Sequence, residues 1–144
     1  MKTRQNLKPF KQRGVAAVEF ALIASIFFTL VFGVMEMGRM LFYMNTAAEA
    51  TRLGARVAVV CDVNAAVIKT KMINMLGILT AADINISYLP AVCTTATCQS
   101  VTVSVSKANI KTFIPFVPLT FSLPAFSTTL PRESMTSLYN EVCS

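Results

Sequence analysis

At 144 residues the chain is long enough for one domain of ordinary size. It is 54% apolar and only 14% charged, yet carries a formal net charge of +6, which fits neither a disordered charged tail nor a soluble nucleic-acid binder with bases spread over a polar face. It has no histidine, which excludes Ser-His-Asp and Cys-His catalysis and any His-ligated metal.

The positive charge is concentrated at the front. Lys2, Arg4, Lys8, Lys11 and Arg13 precede the first acid, Glu19. Residues 15–35 then carry no charge except Glu19. As a helix that run spans roughly 31 Å, the thickness of a bilayer's hydrocarbon core. Phe27, Phe28, Leu30, Val31 and Phe32 make its centre strongly apolar. An all-round apolar helix of this length needs either lipid or a large protein around it, and this chain is too short to be the latter. The bilayer is therefore the first predicted partner. Basic flanks stay on the cytoplasmic side, so the N-terminus is expected inside and everything from about Glu36 outward on the far side. A secretory signal also begins with a basic and then an apolar segment, but the nearest small-x-small site, Ala48-Glu49-Ala50, lies too far beyond Met35 for ordinary cleavage. Glu19 stands out, because a carboxylate in hydrocarbon costs on the order of a few kcal/mol and is a functional hypothesis by default. The plainer alternative is that it reaches back to the headgroups from only four residues in.

No proline interrupts residues 15–60, so a single helix of about 46 residues, on the order of 69 Å, is expected. In its outer half Glu49, Arg52 and Arg56 share one side, and Ala47, Ala50, Gly54 and Ala58 lie roughly opposite. Such a strip of small residues lets another backbone approach closely. Two readings stand: the strip packs on the protein's own sheet, which is preferred, or on a neighbouring subunit's helix. Glu36 and Arg39, three residues apart, form at least a local ion pair, and with Gly38 they mark the membrane-helix boundary.

Asp62 is placed to cap a second, shorter helix over about residues 63–76, with Val67, Ile68, Met72, Met75 and Leu76 on its apolar face and Lys69 and Lys71 in water. Residues 84–88 and 101–105 alternate apolar and polar and read as strands. A third strand is expected around residues 121–129, with Pro124 forcing part of it to an edge or bulge. Residues 113–118 read as an extended apolar linker, either a contact patch or a segment tucked under the sheet. The fold class is therefore α+β: a long N-terminal transmembrane helix, a short helix and a small antiparallel sheet of about three strands. The predicted division is a basic leader over residues 1–14, the long helix over 15–60 (15–35 spanning the membrane) and an outer domain over 61–144.

Cys61, Cys93, Cys98 and Cys143 all follow the membrane segment, in the compartment where disulfides persist. Their spacing is not that of a zinc ribbon, so no metal and no cofactor is expected. Three pairings exist; Cys93 with Cys98 across an inter-strand loop, leaving Cys61 for Cys143, is the natural one. The two Asp and five Glu form no acid/base pair that spacing supports, so no enzymatic activity and no small-molecule substrate is expected.

The junction Lys11-Gln12-Arg13-Gly14, followed by Val15-Ala16-Ala17-Val18-Glu19, resembles the processing site of type IV prepilins and pseudopilins. Farther on, Phe32-Gly33-Val34-Met35-Glu36-Met37-Gly38-Arg39 and the run from Ala47 to Ala58 are similar to the TadE-like family of minor pseudopilins in tight-adherence (Flp) pilus systems. The resemblance covers about residues 13–60. It implies a pilin-like fold and cleavage between Gly14 and Val15 by a membrane prepilin peptidase. It further implies a pairing of Glu19 with the N-terminal amine of a neighbouring subunit, an arrangement in which two charges costly alone in lipid offset each other. The implied partners are that peptidase, other pilin and pseudopilin subunits and the assembly platform in the bacterial inner membrane. The implied location is single-pass in that membrane, with the C-terminal domain periplasmic. The competing reading is an uncleaved single-pass protein presenting a small disulfide-bonded binding domain. Removal of residues 1–14 would take five bases and no acid, leaving eight bases against seven acids, so the mature chain would be nearly neutral at +1.

Overall fold

The computed structural model describes residues 13–106, 109–113 and 120–144. The basic residues Lys2, Arg4, Lys8 and Lys11, and most of the apolar linker at 113–118, lie outside them. A continuous helix, α1 (Arg13–Val60), is followed by α2 (Ala66–Met75), five strands and a terminal 3-10 turn (Glu141–Cys143). The chain falls into two compact units, the residues up to Met35 and Glu36–Ser144.

In the first unit α1 is apolar on every side. Phe20, Leu22, Ile23, Ile26, Phe27, Phe28 and Leu30 are all exposed, and no part of the helix's most apolar stretch is buried within the protein. The helix is long and apolar enough to cross a membrane. The two hydroxyl side chains of this unit are satisfied internally: Ser25 donates to the Leu22 carbonyl at 2.8 Å and Thr29 to the Ser25 carbonyl at 2.7 Å. Such back-bonding is what lets polar residues sit in an apolar solvent.

The second unit is built around a three-stranded antiparallel sheet, order β1-β2-β5, where β1 is Ile84–Leu89, β2 Ser100–Val105 and β5 Phe126–Pro131. Alternation places Val101, Val103 and Val105 of the central strand on a fully buried face. Against that face lie Ala47, Ala50, Ala55 and Ala58 of α1 and Ile68 and Met72 of α2, all buried. A separate hairpin pairs β3 (Asn109–Lys111) with β4 (Thr120–Ser122). The chain after β5 returns to the end of α1, where the Glu133 and Met135 amides donate to the Val59 carbonyl and the Thr136 amide to the Val60 carbonyl. This satisfies carbonyls that a helix C-terminus leaves without partners.

The α+β expectation holds, with three departures in detail. The third strand is not continuous, since Leu123, Pro124 and Ala125 separate β4 from β5; proline lacks the ladder donor, and the buried Leu123 turns inward instead. The short helix starts at Ala66 behind Ala65, with no side-chain cap. Asp62 instead closes a turn, its carbonyl accepting from the Ala65 amide at 3.1 Å. Lys69 and Lys71 are half-buried rather than free in water, their amines donating to the Ala81 carbonyl at 3.1 Å and the Val142 carbonyl at 2.7 Å. Their long stems lie along the surface while the amines find carbonyls at loop ends.

Candidate functional site

The residues singled out in the sequence fall into three places. Gly14 and Val15 lie in the first turn of α1, with Glu19 just beyond. All three are exposed, and a side chain at Gly14 would meet no atom within 4 Å. No cation pairs with Glu19 among the described residues. Among the described residues, then, nothing crowds Gly14 and nothing neutralises the Glu19 carboxylate.

The second place is the start of the folded unit. Arg39 forms a bidentate pair with Glu36, Nε donating to one carboxylate oxygen at 3.3 Å and Nη2 to the other. Nη2 also donates to the Lys111 carbonyl at 2.6 Å, and the Glu36 carboxylate accepts from the Phe113 amide. The guanidinium lies 5.6 Å from the centre of the Tyr43 ring, within cation–π range. Glu36 and Arg39 are therefore more than a local pair, because they fasten β3 to the helix. Gly38, between them, is exposed, and a side chain there would meet no atom within 4 Å.

The small-residue strip is the third place, and here the two open readings separate. Ala47, Ala50, Gly54 and Ala58 are buried. A methyl group on Gly54 would lie 3.0 Å from Met72 Cγ, 3.1 Å from Val103 Cγ1 and closer still to Met72 Sδ. The strip packs on the protein's own sheet and short helix, so it is not a free face for a neighbouring helix. Thr51, beside it, is a buried polar residue that sequence reasoning passed over. Its hydroxyl donates to the Ala48 carbonyl at 2.8 Å and meets the Thr128 hydroxyl of β5 at 3.1 Å, so no buried polar group is stranded.

Cys61 is bonded to Cys143 and Cys93 to Cys98, with Cα separations of 5.6 and 4.9 Å. The first joins the end of α1 to the C-terminus. The second closes a tight loop between β1 and β2, whose Thr95 and Ala96 carbonyls accept from the Arg132 guanidinium. Arg132 was not foreseen, since nothing in its sequence neighbourhood ties it to residues 95–96. Tyr88 is half-buried, and its hydroxyl accepts from the Asn64 amide at 2.9 Å. Burial pushes its phenol above the ordinary tyrosine range, with the amide hydrogen bond opposing. Two shallow grooves flank this core. One of about 450 Å³ runs between the start of α2 and β1, past Lys69, Ile84 and Asn85. The other, of about 410 Å³, lies among Leu53, Val57, Val60, Leu130 and Val142. Among the described residues no group of three or more acidic or cysteine side chains is arranged to hold a metal.

No curated protein and no solved structure matches the chain. A family model does match, and its first residue is the glycine that ends the basic segment. The TadE-like protein family is what residues 14–56 are similar to, a span that holds Glu19, the Glu36–Arg39 pair and Ala47, Ala50 and Gly54 of the buried strip.

Proposed function

We propose that the chain is a minor pseudopilin needed to assemble a tight-adherence pilus, cleaved after Gly14 and held in the bacterial inner membrane by residues 15–35. The TadE-like match supports the coarser part of this, association with such a pilus. The observation that carries the rest is the combination at the start of α1: a basic segment ending in Gly14, which no described atom crowds, and five residues later a carboxylate with no cation partner among the described residues, in a run over 15–35 otherwise bare of charge. In lipid that carboxylate needs a cation, and the amine freed at Val15 of an adjacent subunit supplies one. The function is structural: the helix anchors and pairs, and the disulfide-bonded domain beyond it is carried to the outer side. Partners on this reading are the prepilin peptidase, other pilin-like subunits and the assembly platform.

The test is the N-terminus. In cells that carry the cognate peptidase the intact mass should lack residues 1–14, and Gly14→Leu should restore them. A full-length protein beside an active peptidase would refute cleavage, and would favour the uncleaved anchored protein.

A further inference from the structure

Among the described residues the buried core lies on one face of the three-stranded sheet, that of Val101, Val103 and Val105, and the other face looks outward. Cross-strand register puts Asn85, Ser104 and Ser127 in one row and Ser87, Thr102 and Thr129 in the next. None of these six side chains is charged. The edge strand β1 reads Ile84-Asn85-Ile86-Ser87, an Asn-x-Ser acceptor tripeptide for N-linked sugar. Period-two alternation brings the Asn85 amide and the Ser87 hydroxyl to the same exposed face. Among the described residues nothing bonds the Asn85 side chain, and the Ser87 hydroxyl makes a long, 3.5 Å contact with the Thr102 carbonyl. Among the described residues β1 pairs on one side alone, with β2, and its other side opens on the groove beside Lys69 and Ile84. The acceptor is therefore approachable from that edge, in a strand whose outer face carries Asn85 and Ser87, with Leu89 exposed at its end.

We propose that Asn85 is a site of N-glycosylation, with the hydroxyl rows of β2 and β5 as the surface on which the first sugars rest. The donor class is an oligosaccharide on a lipid pyrophosphate, and the catalyst a membrane oligosaccharyltransferase. The Asn85 amide nitrogen forms a bond to the anomeric carbon of the first sugar. The bond from that carbon to the pyrophosphate oxygen breaks, the lipid pyrophosphate leaves with the electron pair, and the amide proton passes to a base of the transferase. The proposal rests on the reading that residues beyond Glu36 are exported.

The test expresses the full chain in cells that hold such a transferase and donor, beside a control acceptor protein known to be modified there. Digestion after lysine and arginine yields the peptide of residues 72–107, in which Asn85 heads the one Asn-x-Ser/Thr tripeptide. That peptide should gain the mass of the oligosaccharide, keep it in Ser87→Thr, and lose it in Asn85→Gln and Ser87→Ala. Both lost-site variants change exposed side chains and should retain both disulfides. A bare peptide from the unaltered chain, with the control modified, overturns the proposal. Intact disulfides in that sample would leave the export reading standing, and free thiols would bring it down as well. Sugar that persists in Asn85→Gln also overturns the proposal, since it would be attached elsewhere.

Discussion

Replacing Gly54 by alanine tests whether close approach of α1 to its own sheet is what the small-residue strip is for. The added methyl would sit 3.0 Å from Met72 Cγ and 3.1 Å from Val103 Cγ1, well inside the ~3.5–4.0 Å of a relaxed carbon contact. Met72 and Val103 are both completely buried, so the neighbours can yield only by disturbing others. Overpacking of this kind costs about 1–3 kcal/mol. Alanine's better helix propensity returns about 1 kcal/mol, and the net loss is then up to about 2 kcal/mol. Gly38→Ala is the control, because it gains the same propensity with nothing within 4 Å. Subtracting the two isolates the packing cost, and at about 4–8 °C per kcal/mol for a domain of roughly this size the melting temperatures should separate clearly. The assay is thermal unfolding of the full chain in detergent micelles, followed by aromatic circular dichroism. Equal melting of the two variants would refute the packing argument. Met72→Ala made in the Gly54→Ala background should cost less than the sum of the single changes, since it vacates the space the methyl needs.

The disulfides should differ in weight. Cys61–Cys143 closes 82 residues and Cys93–Cys98 only 5, and loop-closure entropy assigns about 4.5 and about 2 kcal/mol respectively; urea unfolding of Cys143→Ser and Cys98→Ser should show the larger loss in the first, and the reverse order would contradict the assignment. Burial holds Tyr88 neutral in the folded state, so its contribution to stability is complete below about pH 10 and is lost as pH rises through its raised folded value. A phenolate absorbance step above pH 10 should vanish in Tyr88→Phe, and a Tyr88 step at or below pH 10 would show the burial to be ineffective. Glu19→Ala should leave cleavage and membrane insertion intact while pilus formation fails, as scored by electron microscopy of cells; normal piliation would mean that the carboxylate reaches the headgroups instead.

Much of the fold was legible because it rests on periodicity. The apolar run, the absence of proline over residues 15–60 and the alternation in Val101, Val103 and Val105 each specify an element by a local pattern. The short helix and the third strand were legible in kind but not in extent. Asp62 has a good capping side chain, yet it closes a turn with its backbone carbonyl and α2 begins four residues later; the disulfide at Cys61 and the irregular segment that follows β5 occupy the end of α1. The bond from Arg39 to the Lys111 carbonyl and the contact of Thr51 with Thr128 span more than 70 residues of sequence. No local rule reaches that far. Glu36 and Arg39 were visible as a pair, but their role in holding β3 emerges only when the chain returns to them.

The helix itself carries the sharper lesson. Charge divides its two halves, one acid in residues 15–35 against five charged residues in 36–60, and side-chain volume divides them as well. Up to Met35 the apolar residues are large, with phenylalanine at 20, 27, 28 and 32, and these stand exposed on all sides; lipid accommodates any outline, so bulk is free there. From Ala47 to Ala58 the buried positions are mostly alanine, glycine and valine, because a helix that must lie on a sheet at the spacing set by Met72 and Val103 has no room for more. The bidentate Glu36–Arg39 pair lies at the end of the charge-poor run, one helical turn and more before the small residues begin at Ala47. Its two charges would be costly in hydrocarbon, and its contacts with Lys111 and Phe113 belong to the folded domain. On the membrane-anchored reading the pair therefore marks the boundary twice, by what lipid will not hold and by what the domain needs to hold on to.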